Sequence, residues 1–226
     1  GAAFTPSPED ALFNLKQEDL RAKIYQKLKD LLGEAEIETG ANLLTLETLS
    51  MMLKRFLAYE KQDLEKHPDR IFIANEKEMT GSISLSSGKR INLKGTADRI
   101  ESSEKGIRIV DYKTGAKGKA AYRISTESPS LGDFIKKPEA LQLMLYAYLY
   151  RQENPQNEQA VGAAILSLRK QNENPIEMSL GAKSEMDAEF AEEFGEILKS
   201  LLEELFNPDI PFKERSDEPE DDEHGN

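Results

Sequence analysis

The hydrophobic positions change period along the chain, and the changes mark its elements. Leu20, Ile24, Leu28 and Leu31 recur every three or four residues, which predicts a helix ending near Gly33. Its start is placed at Ser7-Pro8-Glu9-Asp10, where a Ser cap, a Pro in the first turn and two acids suit the positive end of a helix. A turn-rich stretch through Gly40 follows. A second helix carries Leu46, Leu49, Leu53, Phe56, Leu57 and Glu60 and ends near His67-Pro68. The period then falls to two. Ile71 to Met79, Ser82 to Leu85, Ile91 to Ile100 and Ile107 to Tyr112 read as strands of a meander, with turns at Gly81, Ser87-Gly88 and Lys105-Gly106. A long loop spans Thr114 to Lys137. Pro138-Glu139 opens a helix with Leu141, Leu145 and Leu149 along one side, and Asn154-Pro155 stops it. Ala160 to Leu168 is short and apolar, as a buried strand would be. Met186 to Phe206 is an amphipathic helix closed by Asn207-Pro208.

Two of the predicted strands end in charge. In GTADRIESSEKGIRIVDYKTG, Gly95 to Gly115, the first apolar run delivers Asp98 and Arg99, and the second delivers Asp111-Tyr112-Lys113. Side chains alternate along a strand, so Asp111 and Lys113 share a face and Tyr112 takes the other. If the two strands pair, two carboxylates and one amine converge. Hard oxygen ligands of this kind suit Mg²⁺ or Mn²⁺, with waters and a phosphate completing the shell. Such a cation acidifies a bound water and stabilises charge developing on a phosphoryl group. Lys113 would then orient or deprotonate that water, or neutralise the phosphate. The plainer reading is a solvated ion pair at a strand end, which contributes little. Downstream, Gln142 and Tyr146 lie one helical turn apart and share a face. They either support the same site or are merely an exposed Gln and a core Tyr.

Composition narrows the classes. With 226 residues, 38% hydrophobic and 32% charged, the chain suits a soluble protein of one large domain, or a core with an added helical part. No apolar run approaches the ~20 residues of a membrane span, so no membrane partner is expected, and the start has no secretory leader. The absence of cysteine excludes disulfides, thiolate metal sites and Cys nucleophiles; it fits a reducing compartment, and the expected location is cytoplasmic. Two histidines do not suit a multi-His zinc site. The net charge of −12 argues at first sight against a nucleic-acid partner. Half of it sits in the tail from Glu214, where seven acids face one arginine, and that tail is expected to be disordered and solvated. The loop from Thr114 to Lys137 is instead locally basic: Lys117, Lys119, Arg123, Lys136 and Lys137 face Glu127 and Asp133. It can meet phosphates even on an acidic body.

Taken in order, G-T-A-D-R-I, I-V-D-Y-K-T-G and Q-L-M-L-Y resemble the PD-(D/E)XK nuclease superfamily, and within it the RecB-like domain of helicase-nucleases and related exonucleases. The matched part runs from about Glu76 to Leu168. The resemblance implies an α/β fold with a restriction-endonuclease-like core, a mixed central β-sheet flanked by helices, and here an added N-terminal helical part. It implies Asp98 and Asp111 as metal-binding carboxylates for Mg²⁺ or Mn²⁺, the Tyr112 backbone carbonyl as a further ligand, and Lys113 as the catalytic lysine. Gln142 and Tyr146 match its Gln-x-x-x-Tyr motif, and Thr114 and Gly115 shape the turn after the catalytic strand. It implies DNA as substrate, guided by Lys117, Lys119 and Arg123, and a helicase domain or subunit as partner. The expected organisation is a helical region at 1–68, a nuclease core at 69–213 and a disordered acidic tail at 214–226.

The chain departs from that pattern twice. Many relatives carry one more His or Glu ligand on an upstream helix, and no such stretch stands here. Glu60 is a possible stand-in, although a solvated acid beside Lys61 is the plainer reading; His67 reads as a cap or surface residue, and Glu76 is at most near the site. The start at Gly1 suggests a fragment that has lost that helix. Several relatives also hold an iron-sulfur cluster through cysteines, and Pro211-Phe212 stands where one would follow, but this chain has no cysteine and no such cluster. Three functions stay open at this point. They are a metal-dependent DNA nuclease, probed by cleavage; a nuclease-fold module that binds DNA without cutting; and a protein-interaction domain indifferent to metal.

Overall fold

The structure, a computed structural model, describes residues 17–33, 36–115, 117–126, 129–170 and 174–211. The expected helix start at Ser7 to Asp10, Phe212 and the acidic tail lie outside the described residues. Helix α1 (Gln17–Leu32) packs on the long α2 (Gly40–Lys66) through Leu28, Ile37 and Leu46, with Ile24, Tyr25 and Leu49 around them. Gly33, at φ 65°, ends α1 in the left-handed conformation that glycine adopts without penalty.

Strands β1 (Ile71–Ser84), β2 (Arg90–Ser103) and β3 (Gly106–Lys113) form an antiparallel meander. A short 3₁₀ turn at Lys119–Tyr122, strand β4 (Arg123–Ile124) and helix α3 (Leu131–Lys136) fill the loop that sequence leaves unassigned. Ser130 and Asp133 cap α3 reciprocally, each accepting from the other's backbone N–H. Helix α4 (Pro138–Glu153) then carries the chain across one face of the sheet to β5 (Val161–Ser167), which pairs parallel with β3. Strands β6 (Ile176–Glu177) and β8 (Glu185–Met186) extend the sheet antiparallel to β5, and β7 (Ser179–Leu180) pairs with β4. Helix α5 (Ala188–Leu205) closes the core, with Asp187 capping its first turn by accepting from Phe190 N at 2.8 Å. The result is a six-stranded mixed sheet flanked by helices, as expected of a restriction-endonuclease-like core.

The main core lies between the sheet and α4. Ile100, Ile109 and Ile165 meet Leu143, Met144, Ala147 and Leu149, and α5 adds Phe190, Phe194, Leu198 and Leu202. Each of the Ile, Leu, Met and Phe side chains contributes roughly 1.5–3 kcal/mol on burial. Phe194 meets Phe134 and Tyr148 edge-on, with ring centroids 6.0 and 5.6 Å away.

The structure departs from the expected strands at Gly81. It does not turn the chain: β1 runs unbroken from Ile71 to Ser84. It lies instead where α4 crosses closely, since an added Cβ would stand 2.3 Å from Gln152 Oε1 and 2.8 Å from Leu149 Cδ2, and those side-chain ends would have to move aside. Close approach of α4 and a turn leave the same mark in a sequence.

Candidate active site

Three elements meet at the C-terminal end of β3. Its odd residues Ile107 and Ile109 enter the core beneath α4, so alternation turns Asp111 and Lys113 to that face as well, while Arg108, Val110 and Tyr112 turn toward α2. Asp111 is buried, with 5% of its surface exposed. Lys113 Nζ lies 2.8 Å from Asp111 Oδ2. The contact is an ion pair without good hydrogen-bond alignment, and Oδ2 is a buried oxygen with no aligned donor. Burial pushes the Asp111 carboxyl above its ordinary value; Lys113 and Tyr146 pull it back, and Asp98 adds to the push. Burial works against the charge on Lys113, but Asp111 outweighs it, and the ammonium is held more firmly than in water.

Asp98 reaches the same place from β2. Its Oδ2 accepts a hydrogen bond from the backbone N–H of Tyr112 at 2.7 Å, which ties the two strand ends together. Asp98 also sits where β2 loses its regular alternation. Ala97 and Ile100, three apart, both belong to the core under α4. Across the ladder, Asn75 pairs with Arg99 and Lys77 with Ala97, so Glu76 stands opposite Asp98. Glu76 has φ 46°, the one positive-φ residue other than glycine among the described residues, and it is exposed. Such a conformation costs on the order of 1–3 kcal/mol and marks a local distortion of the edge pair. Glu76 is thus placed beside the site by the backbone.

Helix α4 supplies the roof. Gln142 Nε2 donates to the Tyr146 hydroxyl oxygen at 2.7 Å. This leaves the Tyr146 proton free to serve Asp111, whose charged form Tyr146 favours. Gly95, which opens the GTADRI run, makes room for that ring: an added Cβ would lie 2.9 Å from Tyr146 Cε1. The spacing of Gln142 and Tyr146 therefore marks a polar pair over the site. Both residues are at least partly buried, so the reading of an idle exposed Gln does not hold.

The basic loop is more dispersed than its composition suggests. Lys117 pairs with Glu139 at the start of α4, Arg123 Nε donates to the Glu177 carbonyl at 3.4 Å, and Lys119 is exposed. Lys137 Nζ donates to the Arg123 carbonyl at 2.7 Å. Glu139 is a residue that sequence reasoning missed. It shares the α4 face of Gln142 and Tyr146 at i, i+3 and i+7, and Lys117 and Lys113 overcome its burial to hold it charged.

Glu60 needs correction. It is neither a solvated acid beside Lys61 nor free to bind a metal. It is buried, 6% exposed, and clamped by two arginines. Arg99 Nη1 and Nη2 reach its carboxylate oxygens at 2.9 and 3.2 Å, and Arg70 Nη2 reaches Oε2 at 2.9 Å. The same cluster holds Asp63, 2.5 Å from Arg70 Nη1 and 3.3 Å from Arg108 Nη2. Glu101 completes it, 3.2 Å from Arg99 Nε and paired with Arg108 Nε. Three carboxylates and three guanidiniums thus balance under α2. Arg99 also lies over the Tyr112 ring, 5.6 Å from its centroid, and Phe56 meets that ring edge-on at 5.4 Å. Burial pushes the Tyr112 hydroxyl up to about 12, so Tyr112 stays neutral.

The profile of the PD-(D/E)XK nuclease superfamily matches residues 10–217. The chain belongs to the PD-(D/E)XK nuclease superfamily. The match extends well beyond the strand-end motifs and takes in both N-terminal helices and α5. No curated protein matches the chain. Among solved structures, one titled "Crystal structure of SSO0001" is 15% identical over 88% of this chain and 99% of that one, at a TM-score of 0.28, too low to bear on fold or function. Superfamily membership makes a phosphodiester-cleaving nuclease the coarse expectation for this site. Among the described residues no group of three or more His, Asp or Glu side chains converges as a metal cage, and no helix is long and apolar enough to cross a membrane.

Proposed function

We propose that this chain is a metal-dependent DNA nuclease of RecB-like type, an exonuclease of DNA repair or recombination. The observation that carries the reading is the buried, unaligned Oδ2 of Asp111 beside Asp98 and Lys113. A buried carboxylate oxygen whose close partner is one poorly aligned ammonium retains acceptor capacity that a cation can use. Asp98, Asp111 and the Tyr112 carbonyl would hold Mg²⁺ or Mn²⁺, which when bound supplies an acidified water and charge stabilisation at the phosphate.

The remaining roles belong to the chain. Lys113 Nζ lies 2.8 Å from Asp111 Oδ2. From there it would donate to a phosphate oxygen, its charge opposing the charge that builds up, or orient the attacking water. Tyr146 steers Asp111, and Gln142 fixes the Tyr146 hydroxyl. Lys117, Lys119 and Arg123 guide the strand, with Lys117 exchanging Glu139 for phosphate. Assembly with a helicase domain or subunit, a cytoplasmic location and the 1–68, 69–213 and 214–226 division belong to the same proposal and rest on sequence alone.

A second reading is a nuclease-fold module that binds DNA without cutting it. It is favoured by the lack of a third acidic or histidine ligand among the described residues, now that Glu60 is spent on arginines. Labelled linear single- and double-stranded DNA, incubated with Mn²⁺ or Mg²⁺ and with EDTA as control, separates the two. Metal-dependent cleavage lost in both Asp111→Ala and Lys113→Ala supports the nuclease, and product lengths distinguish exonuclease from endonuclease. DNA binding with no cleavage by the parent supports the second.

A further inference from the structure

We infer that Glu60 is a positioning residue for the proposed metal site, acting through Arg99. The inference rests on the nuclease reading above and adds to it an element, α2, that contributes no ligand. The chain of contacts is short. Glu60 holds Arg99 with two hydrogen bonds, at 2.9 and 3.2 Å, in the fork geometry that fixes a guanidinium in plane. Arg99 is the next residue after Asp98 and lies over the Tyr112 ring. Tyr112 donates its backbone N–H to Asp98 at 2.7 Å and offers the neighbouring carbonyl. Glu60 thereby sets the strand segment of one proposed ligand and the ring of the other.

Charge gives the second half of the argument. Arg99 is buried, 6% exposed, and a bare guanidinium beside Asp98 would act against a divalent cation in two ways. Its field would oppose the cation at low local dielectric, and its N–H groups would compete for the Asp98 carboxylate. Glu60 removes both effects. Glu101 faces Arg99 Nε at 3.2 Å and also serves Arg108 and Arg70, but the Nη1–Nη2 edge of Arg99 is held by Glu60.

Asp63 is the internal control. It is as buried as Glu60, 8% against 6%, and belongs to the same cluster, but it contacts Arg70 and Arg108 and leaves Arg99 alone. The test is Mn²⁺ titration by calorimetry, with thermal melting, on the full chain and on Glu60→Gln, Glu60→Asp and Asp63→Asn. Both neutral variants should lose melting temperature. Glu60→Gln should weaken Mn²⁺ binding at least tenfold, Glu60→Asp should recover part of it, and Asp63→Asn should stay within threefold of the parent. Equal weakening by Glu60→Gln and Asp63→Asn would reduce Glu60 to a structural role and overturn the inference. So would unchanged affinity in Glu60→Gln. If Glu60→Gln does not fold, the contrast between Glu60→Asp and Asp63→Asn carries the test, and equal affinities there also overturn it. A parent that binds no Mn²⁺ overturns the metal-site reading itself, and this inference falls with it.

Discussion

The face of β2 and β3 that meets α4 is closed by Ile100, Ile109, Leu143 and Leu149, whereas the face that meets α2 is closed by six charges. On the first face contacts are non-directional, and any well-shaped apolar side chain serves. On the second each group needs its own partner, because a buried charge left alone costs far more than a lost van der Waals contact. Hydrophobic burial therefore supplies stability, and the ion cluster supplies a fixed geometry. The candidate site lies where the two faces end together. Asp111 and Lys113 project toward the apolar side, and Arg99 and Tyr112 toward the ionic side. The low dielectric of one side raises the Asp111 carboxyl, and the other side holds the strands still.

The largest effect should come at that border. Asp111→Ala or Lys113→Ala should lower metal-dependent cleavage by about 10³-fold or more while leaving far-ultraviolet circular dichroism unchanged. Full activity in either variant would remove these residues from the site.

The contrast between the faces is broken or sharpened next by pairs of substitutions. Arg70→Met should cost roughly 3–5 kcal/mol, because it leaves three buried carboxylates facing two guanidiniums. Adding Asp63→Leu should cost little more, or restore part of the loss. On the other face, Leu149→Ala should cost roughly 2–5 kcal/mol, and Leu143→Ala on top of it should cost again. Urea denaturation measures all four. Additivity on both faces would mean that the ion cluster is not one unit.

A smaller effect is expected where backbone and roof touch. Gly95→Ala should destabilise by roughly 1–3 kcal/mol through overpacking against Tyr146, and cleavage should fall with it as the ring shifts off Asp111. Tyr146→Phe separates the two causes, since it keeps the ring and removes the hydroxyl. A neutral Gly95→Ala would show that α4 yields easily.

The smallest effect concerns pH. The folded Asp111 carboxyl holds its proton more tightly than the unfolded one. Its contribution to the metal-free fold is therefore present below the ordinary carboxylate range and is lost as pH rises through the folded value. Asp111→Asn should accordingly raise the melting temperature of the metal-free protein at pH 7, with less gain near pH 4. Melting in EDTA at the two pH values checks the sign, and a lower melting temperature at pH 7 would contradict it.

Much of the fold and part of the site could be read from residues alone, for a local reason. Strand alternation assigned Asp111 and Lys113 to one face and Tyr112 to the other, and one helical turn linked Gln142 to Tyr146. Gly33, Pro138 and Asn154 bounded helices by their own backbone preferences. Period failed where elements were too short to show one, as in α3 and the two-residue strands β4, β6, β7 and β8.

What sequence determined by itself was what neighbours along the chain enforce: helices, strands, the motif order and the acidic and basic stretches. Tertiary structure alone decided which partners distant residues met. Glu60 looks the same in sequence whether it faces water, a cation or two arginines, because its environment is built by Arg70 and Arg99, 10 and 39 residues away. Gly81 looks like a turn until α4 is laid across it. Local preference acts over one or two turns of chain. Burial and charge pairing act through space, and they gave α2 its hold on Arg99, the residue beside Asp98.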